Sequence, residues 1–259
     1  MSPHPFVETR TYGDYLSFRS LRILWGNTDF GPDQQRVNFP NVPLSFLRQV
    51  HSSRIVAAQA PTFDLSPKKT PPPGAQWWLD DSWPEADGHW TKAPGHALAI
   101  ITADCLPIFL YSTGATKDLL GVHAGWRGLT EGILDLAVNK FPPLSSSELF
   151  AFVGPHIRRQ SFTFSDDHLD PLLTYAQRLG LHRRQFIFPG QIPGKVQVDL
   201  TVLAHASLIS SGLHEENIWI SPHDTFADQR WHSYRRNSAN AGRQVSLAFF
   251  IDPDPSELA

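Results

Sequence analysis

The chain has 259 residues, 41% of them hydrophobic and 18% charged, with a formal net charge of −3. That length and apolar content suffice for one large core, so a single domain over 1–259 is expected. The charge balance provides no basic excess for a phosphate backbone, which argues against nucleic acid as a partner, and no apolar run approaches the roughly 20 residues needed to span a bilayer. The start, Met1 to Arg10, lacks a basic segment followed by an apolar one, and the single cysteine, Cys105, leaves no intramolecular disulfide. The expectation is a cytoplasmic enzyme, a monomer or a small homo-oligomer.

In chain order, an apolar stretch from Val42 to Val50 gives way to small polar residues at His51, so a strand ending there would expose that imidazole. Residues 60–84 hold Pro61, Pro67, Pro71, Pro72, Pro73 and Gly74, and this Pro-rich stretch reads as a surface loop within the domain. Next come the β-favouring runs Ala97 to Thr102, Leu106 to Tyr111 and Leu119 to His123, which read as paired strands. The spacing of Leu129, Ile133, Leu136 and Ala137 predicts one amphipathic helix from Leu129 to Phe141. A strand over Leu149 to Val153 follows, then a helix from Asp170, with Pro171 in its first turn, to Leu179. A third helix is predicted over Thr201 to Ser211 after the cap Asp199, with later strands at Ile218 to Ser221 and Val245 to Ile251. Strands and helices do not alternate regularly, so the fold class is α+β, a mixed α/β single domain of mixed sheets with flanking helices.

Three clusters carry chemistry. Arg48-Gln49-Val50-His51 puts an imidazole at a strand end, and Thr102-Ala103-Asp104-Cys105-Leu106-Pro107 places the lone cysteine in a turn where its sulfur can face a cleft, with Pro107 interrupting strand pairing just after it. Val122-His123-Ala124-Gly125-Trp126-Arg127-Gly128 joins a strand to a helix through glycines that permit close backbone approach. Two histidines and a thiolate suit a tetrahedral zinc ion with a fourth position open for water or substrate. The same atoms could form a thiolate pair in which His123 takes the proton of Cys105, and copper is a third option. A trinuclear copper cluster needs many convergent imidazoles, commonly from His-X-His pairs, and none of the 12 histidines is two positions from another. Arg235, Arg236 and Arg243, with Arg48 and Arg127, suggest an anion subsite.

These motifs resemble, in order, those of the YfiH family of laccase-domain, polyphenol-oxidase-like proteins, which includes a peptidoglycan editing factor. The matching segments are RQVH at Arg48 to His51, ADG at Ala86 to Gly88, TADCLP at Thr102 to Pro107, HAGWRG at His123 to Gly128, GP at Gly154 and Pro155, and SYRR through GR at Ser233 to Arg243. The resemblance implies a fold shared with the catalytic domain of the cytotoxic necrotizing factor toxins, zinc ligands at His51, Cys105 and His123, and purine nucleoside phosphorylase activity on adenosine, inosine and related nucleosides, with adenosine deaminase activity in some members. Phosphate and nucleoside would then be the small-molecule partners, with the arginines holding phosphate and Asp104 serving the water of a deamination branch. The alternatives are a cysteine hydrolase editing peptidoglycan precursors and a copper-dependent polyphenol oxidase. The sequence departs from the family at Ser52, at His156, which is expected to alter metal affinity, and at Phe162-Thr163-Phe164, where a substrate-contact carboxylate is expected to be missing.

Overall fold

The computed structural model describes residues 5–30, 42–58, 81–114, 116–142 and 148–251. The Pro-rich stretch lies outside the described residues up to residue 80.

Strands β1 (Phe6–Arg10), β2 (Gly13–Phe18), β3 (Leu21–Gly26), β4 (Leu44–Ser45), β5 (Ile55–Ala57), β6 (Gly88–Thr91), β7 (Ala97–Thr102), β8 (Leu106–Ser112) and β9 (Leu119–Ala124) come first. Two short helices follow, α1 (Trp126–Thr130) and α2 (Ile133–Val138), then β10 (Leu149–Val153) and β11 (Thr163–Ser165). Helices α3 (Asp170–Arg178) and α4 (Arg183–Phe186), strands β12 (Ile187–Pro189) and β13 (Lys195–Val198), helix α5 (Leu200–Ser210), strand β14 (Ile218–Ile220), helix α6 (Tyr234–Asn237) and strand β15 (Gln244–Phe250) complete the chain. They build two six-stranded mixed sheets, ordered β1-β2-β3-β15-β7-β4 and β14-β10-β8-β9-β6-β5, and a small antiparallel sheet β11-β13-β12.

The two large sheets face each other across Phe18, Trp25, Leu98, Ile100 and Phe250 from the first and Phe109, Tyr111, Phe150 and Phe152 from the second. The second sheet buries its other face, including Leu106, Ile108, Leu110 and Val122, under the helices. The first sheet turns Ala97, Ala99, Ile101 and Val245 toward Phe46 and Trp83. Strands β7, β8 and β9 are therefore buried on both faces, and this is why they read as unbroken apolar runs instead of alternating ones.

Most of the expected elements form, with three corrections. β8 and β9 pair, but β7 belongs to the other sheet, where it pairs with β15 and β4. A continuous apolar run carries no record of which sheet it joins. The single helix expected over Leu129 to Phe141 is two, because Gly132 sits in the left-handed region at φ 79° and breaks the i to i+4 ladder between them. Pro107 does not interrupt pairing: it lies inside β8 opposite His123, and its carbonyl accepts the amide of Gly154.

Among the described residues two imidazoles, His89 and His156, are fully buried. Burial, followed by the proximity of His96, outweighs a contact with the Ala99 backbone and holds the pKa of His89 on β6 at about 3. Burial and then Arg158 hold His156 at about 3 as well. Both fold as neutral bases, so their contribution is complete above the ordinary value of 6.5 and is lost as pH falls toward 3. The melting temperature is accordingly expected to decline from pH 6.5 downward, and His89→Leu should flatten that decline. Calorimetry of both proteins between pH 7 and pH 4 tests this, and an identical acid limb would remove His89 from the account.

Candidate active site

The turn between β7 and β8 crosses from one sheet to the other in three residues, Ala103, Asp104 and Cys105. Asp104 takes φ 92°, a conformation costly for a residue with a Cβ, and the surroundings hold it there. Its carboxylate accepts from Thr225 Oγ1 at 2.7 Å and from the Arg235 amide at 2.6 Å, while its carbonyl accepts the Ile157 amide at 2.9 Å. Asp104, expected to serve a reacting water, lines the cavity and ties the cysteine turn to the start of α6, one donor on each carboxylate oxygen.

Register places His123 beside that turn, since β9 pairs Ala124 with Leu106 and His123 with Pro107. His51 arrives from a third segment, anchored by the parallel bridge of Arg48 with Glu85, and it too has a positive φ, 61°. One nitrogen from each imidazole and the Cys105 sulfur lie within 4.8 Å of one another, and the rings of His51 and His123 are 4.8 Å apart. Among the described residues this is the one group of three or more side chains that could hold a metal ion.

A residue not singled out for a role, Asp87, organises the group. Fully buried just before β6, it accepts the amides of Val50, His51 and Ser52 at 3.2, 3.0 and 2.6 Å, the Ser52 hydroxyl at 2.8 Å and His123 Nδ1–H at 2.8 Å. Burial alone would raise its pKa, but His123 and the donors of Ser52 outweigh burial and keep it ionised, below the usual carboxylate range. Because Nδ1 of His123 donates to Asp87, the lone pair of Nε2 is left for a ligand. Burial opposes ionisation of Cys105, yet His123 and His51 hold the thiol down at about 6. Burial likewise opposes protonation of His123, but Cys105 and Asp87 raise it to about 9. The pair is poised as a thiolate and an imidazolium, which suits either a cation in the proton's place or a thiolate nucleophile. The backbone leaves room for a ligand set this tight: a Cβ on Gly125 would meet His51 Nδ1 at 2.9 Å and the Cys105 sulfur at 3.1 Å. The donors fit a divalent ion that takes the place of the proton between the Cys105 sulfur and His123 Nε2, while Nδ1–H stays on Asp87.

These residues open into a cavity of about 580 Å3. Three guanidinium groups line it, each lying on an aromatic ring: Arg127 over Trp126 at 4.5 Å, Arg235 over Phe162 at 5.3 Å and Arg243 over Tyr234 at 5.9 Å. Arg235 also donates to Thr163 Oγ1 at 2.8 Å, at the position where a family carboxylate was expected to be missing. Two of the five candidate arginines lie elsewhere. Arg48 is paired with Glu85 and has Asp81 at 3.7 Å, and Arg236 donates to the carbonyls of Thr225, Phe226 and Trp231 at 2.6 to 2.8 Å. Arg48 therefore fixes the approach to His51 and Arg236 fixes the loop before α6. His156 is not among the ligands either. Its ring donates from Nδ1 to Gly154 O at 2.7 Å and meets Thr201 Oγ1 at 2.8 Å, so the expected effect on the metal has no direct route. Gln49 was also missed as a lining residue: its side chain exchanges two hydrogen bonds with the Ile101 backbone, at 2.6 and 2.8 Å, and so extends the edge of β7.

Asp87→Asn leaves one acceptor oxygen but removes the negative charge and sets an NH2 group against donors that the second oxygen accepts, and it is expected to weaken binding of a divalent metal by about 10- to 100-fold. Competition with a chelator of known affinity measures this, and wild-type affinity in the folded variant would show that His123 needs no such partner. Gly125→Ala should weaken binding in the same assay by pressing on His51.

Comparison with known proteins agrees with this architecture. The family model described as multi-copper polyphenol oxidoreductase laccase matches residues 33–251. A Haemophilus influenzae protein named purine nucleoside phosphorylase is 28% identical over 258 residues, covering 95% of this chain and 94% of the relative. A Xylella fastidiosa protein of the same name is 31% identical over 216 residues, covering 83% and 75%. Among solved structures, YfiH of Bacillus licheniformis superposes with a TM-score of 0.76 at 19% identity over 94% of this chain and 98% of that one, and a Neisseria meningitidis protein superposes with a TM-score of 0.71 at 23% identity over 96% and 99%. With a fold shared across almost its whole length and a family match that includes every residue of the His51, Cys105 and His123 group, the chain belongs to the laccase-domain family of YfiH-like proteins.

Proposed function

We propose that the protein is a purine nucleoside phosphorylase in which orthophosphate splits adenosine, inosine or a related nucleoside at the His51, Cys105 and His123 centre. The observation that carries this reading is the meeting, in one cavity of about 580 Å3, of that ligand group with three arginine–aromatic pairs. Relatives matched over most of the chain carry the name of that activity.

Phosphorolysis joins a phosphate oxygen to ribose C1′ as the bond from C1′ to the purine nitrogen breaks, and the base leaves with the electron pair. The nucleophile is a doubly charged anion that must be held against the sugar in water-poor surroundings. Arg235 and Arg243, entering from α6 and from the residue just before β15, are the groups that hold it, and Arg127 faces the cavity from α1. Resting on rings restricts each guanidinium to a plane and limits the entropy lost when it binds. Trp126 and Tyr234, which are not buried, give a purine flat surfaces to stack on. His51, Cys105 and His123 would hold the metal, zinc in our reading, and Asp87 keeps their geometry. A divalent ion bound there supplies Lewis acidity to a substrate oxygen or nitrogen. Adenosine deamination is a branch of the same site, with water in place of phosphate. Copper-dependent phenol oxidation is the weaker reading, because a trinuclear cluster needs many more imidazoles than the three-residue group found among the described residues.

One observation favours a second reading. Asp87, His123 and Cys105 stand in the order orienting carboxylate, base and thiolate, which is the arrangement of a cysteine hydrolase that attacks an amide or acyl carbon.

Purified protein incubated with adenosine and phosphate is expected to yield adenine and ribose 1-phosphate, with inosine marking the deaminase branch. Cys105→Ala and His123→Ala should abolish the reaction, whereas Arg235→Ala and Arg243→Ala should raise KM for phosphate by about tenfold or more with a smaller effect on KM for nucleoside. Wild-type rates in folded Cys105→Ala and His123→Ala would overturn the assignment. Chelation separates the two readings: loss of activity on metal removal with recovery on adding zinc supports the first, and activity that survives chelation but not thiol alkylation supports the second.

A further inference from the structure

Trp126 and Arg127 have a face on each of two concavities. One is the cavity just described; the other is a groove of about 590 Å3 between α1 and α3, which pack against each other. Arg127 and Arg178 supply guanidinium groups to the groove, and Glu131 and Asp170 supply carboxylates. Arg127 has the Trp126 ring as its partner and no carboxylate among the described residues. Arg178 lies over Tyr175 at 5.7 Å and reaches Asp135 only at 3.9 Å. Neither Glu131 nor Asp170 has an ion-pair partner among the described residues. Two positive and two negative groups thus share one groove without neutralising one another in close pairs.

That pattern selects among occupants. A purely anionic chain would meet the carboxylates and a purely cationic one the guanidinium groups, while an apolar chain would strip water from four ionic groups and return nothing. A chain ending in both an ammonium and a carboxylate meets a complementary charge at each end. We infer that this groove is a subsite for a zwitterionic, amino-acid-like substituent on the nucleoside, which reaches it past the Trp126–Arg127 wall. The inference rests on the nucleoside reading of the main cavity. With the base and C1′ engaged there, the 5′ carbon of the ribose is the position that can carry an extension outward. Because all four ionic groups are solvent-exposed, the gain is modest, about fivefold in affinity.

The test compares two adenosines that share a 5′ thioether, methylthioadenosine, whose tail is uncharged, and S-adenosylhomocysteine, whose tail is a zwitterion. Their binding to the full-length, zinc-loaded protein is measured by calorimetry. The zwitterionic ligand is expected to bind about fivefold tighter, and the double variant Glu131→Gln, Arg178→Gln to erase the difference while leaving methylthioadenosine affinity unchanged. Equal affinities in the unsubstituted protein, or equal losses for both ligands in the variant, would overturn the subsite. Release of adenine is followed in a parallel reaction with phosphate. A binding preference without cleavage would overturn the phosphorolytic reading and keep the subsite, cleavage without a preference would do the reverse, and failure of both ligands to bind would overturn both.

Discussion

The carboxylate of Asp87 is the interaction on which the rest of the site depends. Buried without solvent, it has to be fully hydrogen-bonded, and its five donors come from two strand-remote pieces of the chain, residues 50–52 and His123 on β9. Those donors hold a histidine at positive φ on one side and fix the tautomer of a second histidine on the other. A backbone amide of His51 and a ring nitrogen of His123 share the same oxygen, so one acceptor positions both histidines. The ionised state of Asp87 is in turn favoured by that same set of donors, and structure and charge support each other.

A second carboxylate plays a parallel role across the cavity. Asp104 binds the Thr225 hydroxyl and the Arg235 amide, and so ties the cysteine turn to the segment that delivers the arginines. Arg236 closes that segment from behind through three carbonyls. The two acids divide the work by wall: Asp87 sets the ligand wall and Asp104 the anion wall. Asp87 takes five donors and is saturated, whereas Asp104 takes one donor on each oxygen and also lines the cavity. The positive side of the cavity keeps its charge because Arg127 and Arg235 rest on aromatic faces instead of pairing with acids, leaving a field suited to an anion.

The donor set suits both proposed chemistries because each requires the same thing, a sulfur and an imidazole held close in a poorly solvated place. What separates them is whether a cation or a proton lies between sulfur and ring. The hydrogen bond from His123 Nδ1–H to Asp87 is common to both, since it strengthens a metal ligand and also orients a base. The guanidinium groups tip the reading toward an anionic co-substrate, which an amide hydrolase would not need.

The sequence by itself determined the chemical types and most of the elements. Lone Cys105 in a turn, His123 before a Gly-rich strand-to-helix join and His51 at the end of an apolar run were legible because turn chemistry and periodicity are local properties. The helices after Asp170 and Asp199 and the strands β7 to β10 were legible for the same reason, and the ordered motifs pointed to the family. The partner sheet of β7 was not, because a strand buried on both faces shows no alternation to say which neighbour it meets. Asp87 lay in a quoted motif, yet its role depends on residues 50–52 arriving beside it, a non-local contact with no periodic trace. The sorting of the five arginines is of the same kind. All five are the same residue in similar polar contexts, and only the tertiary structure decided that Arg127, Arg235 and Arg243 line the cavity while Arg48 meets Glu85 and Arg236 meets backbone carbonyls, since the direction of a long side chain is set by what packs around it and not by the residues beside it in the chain.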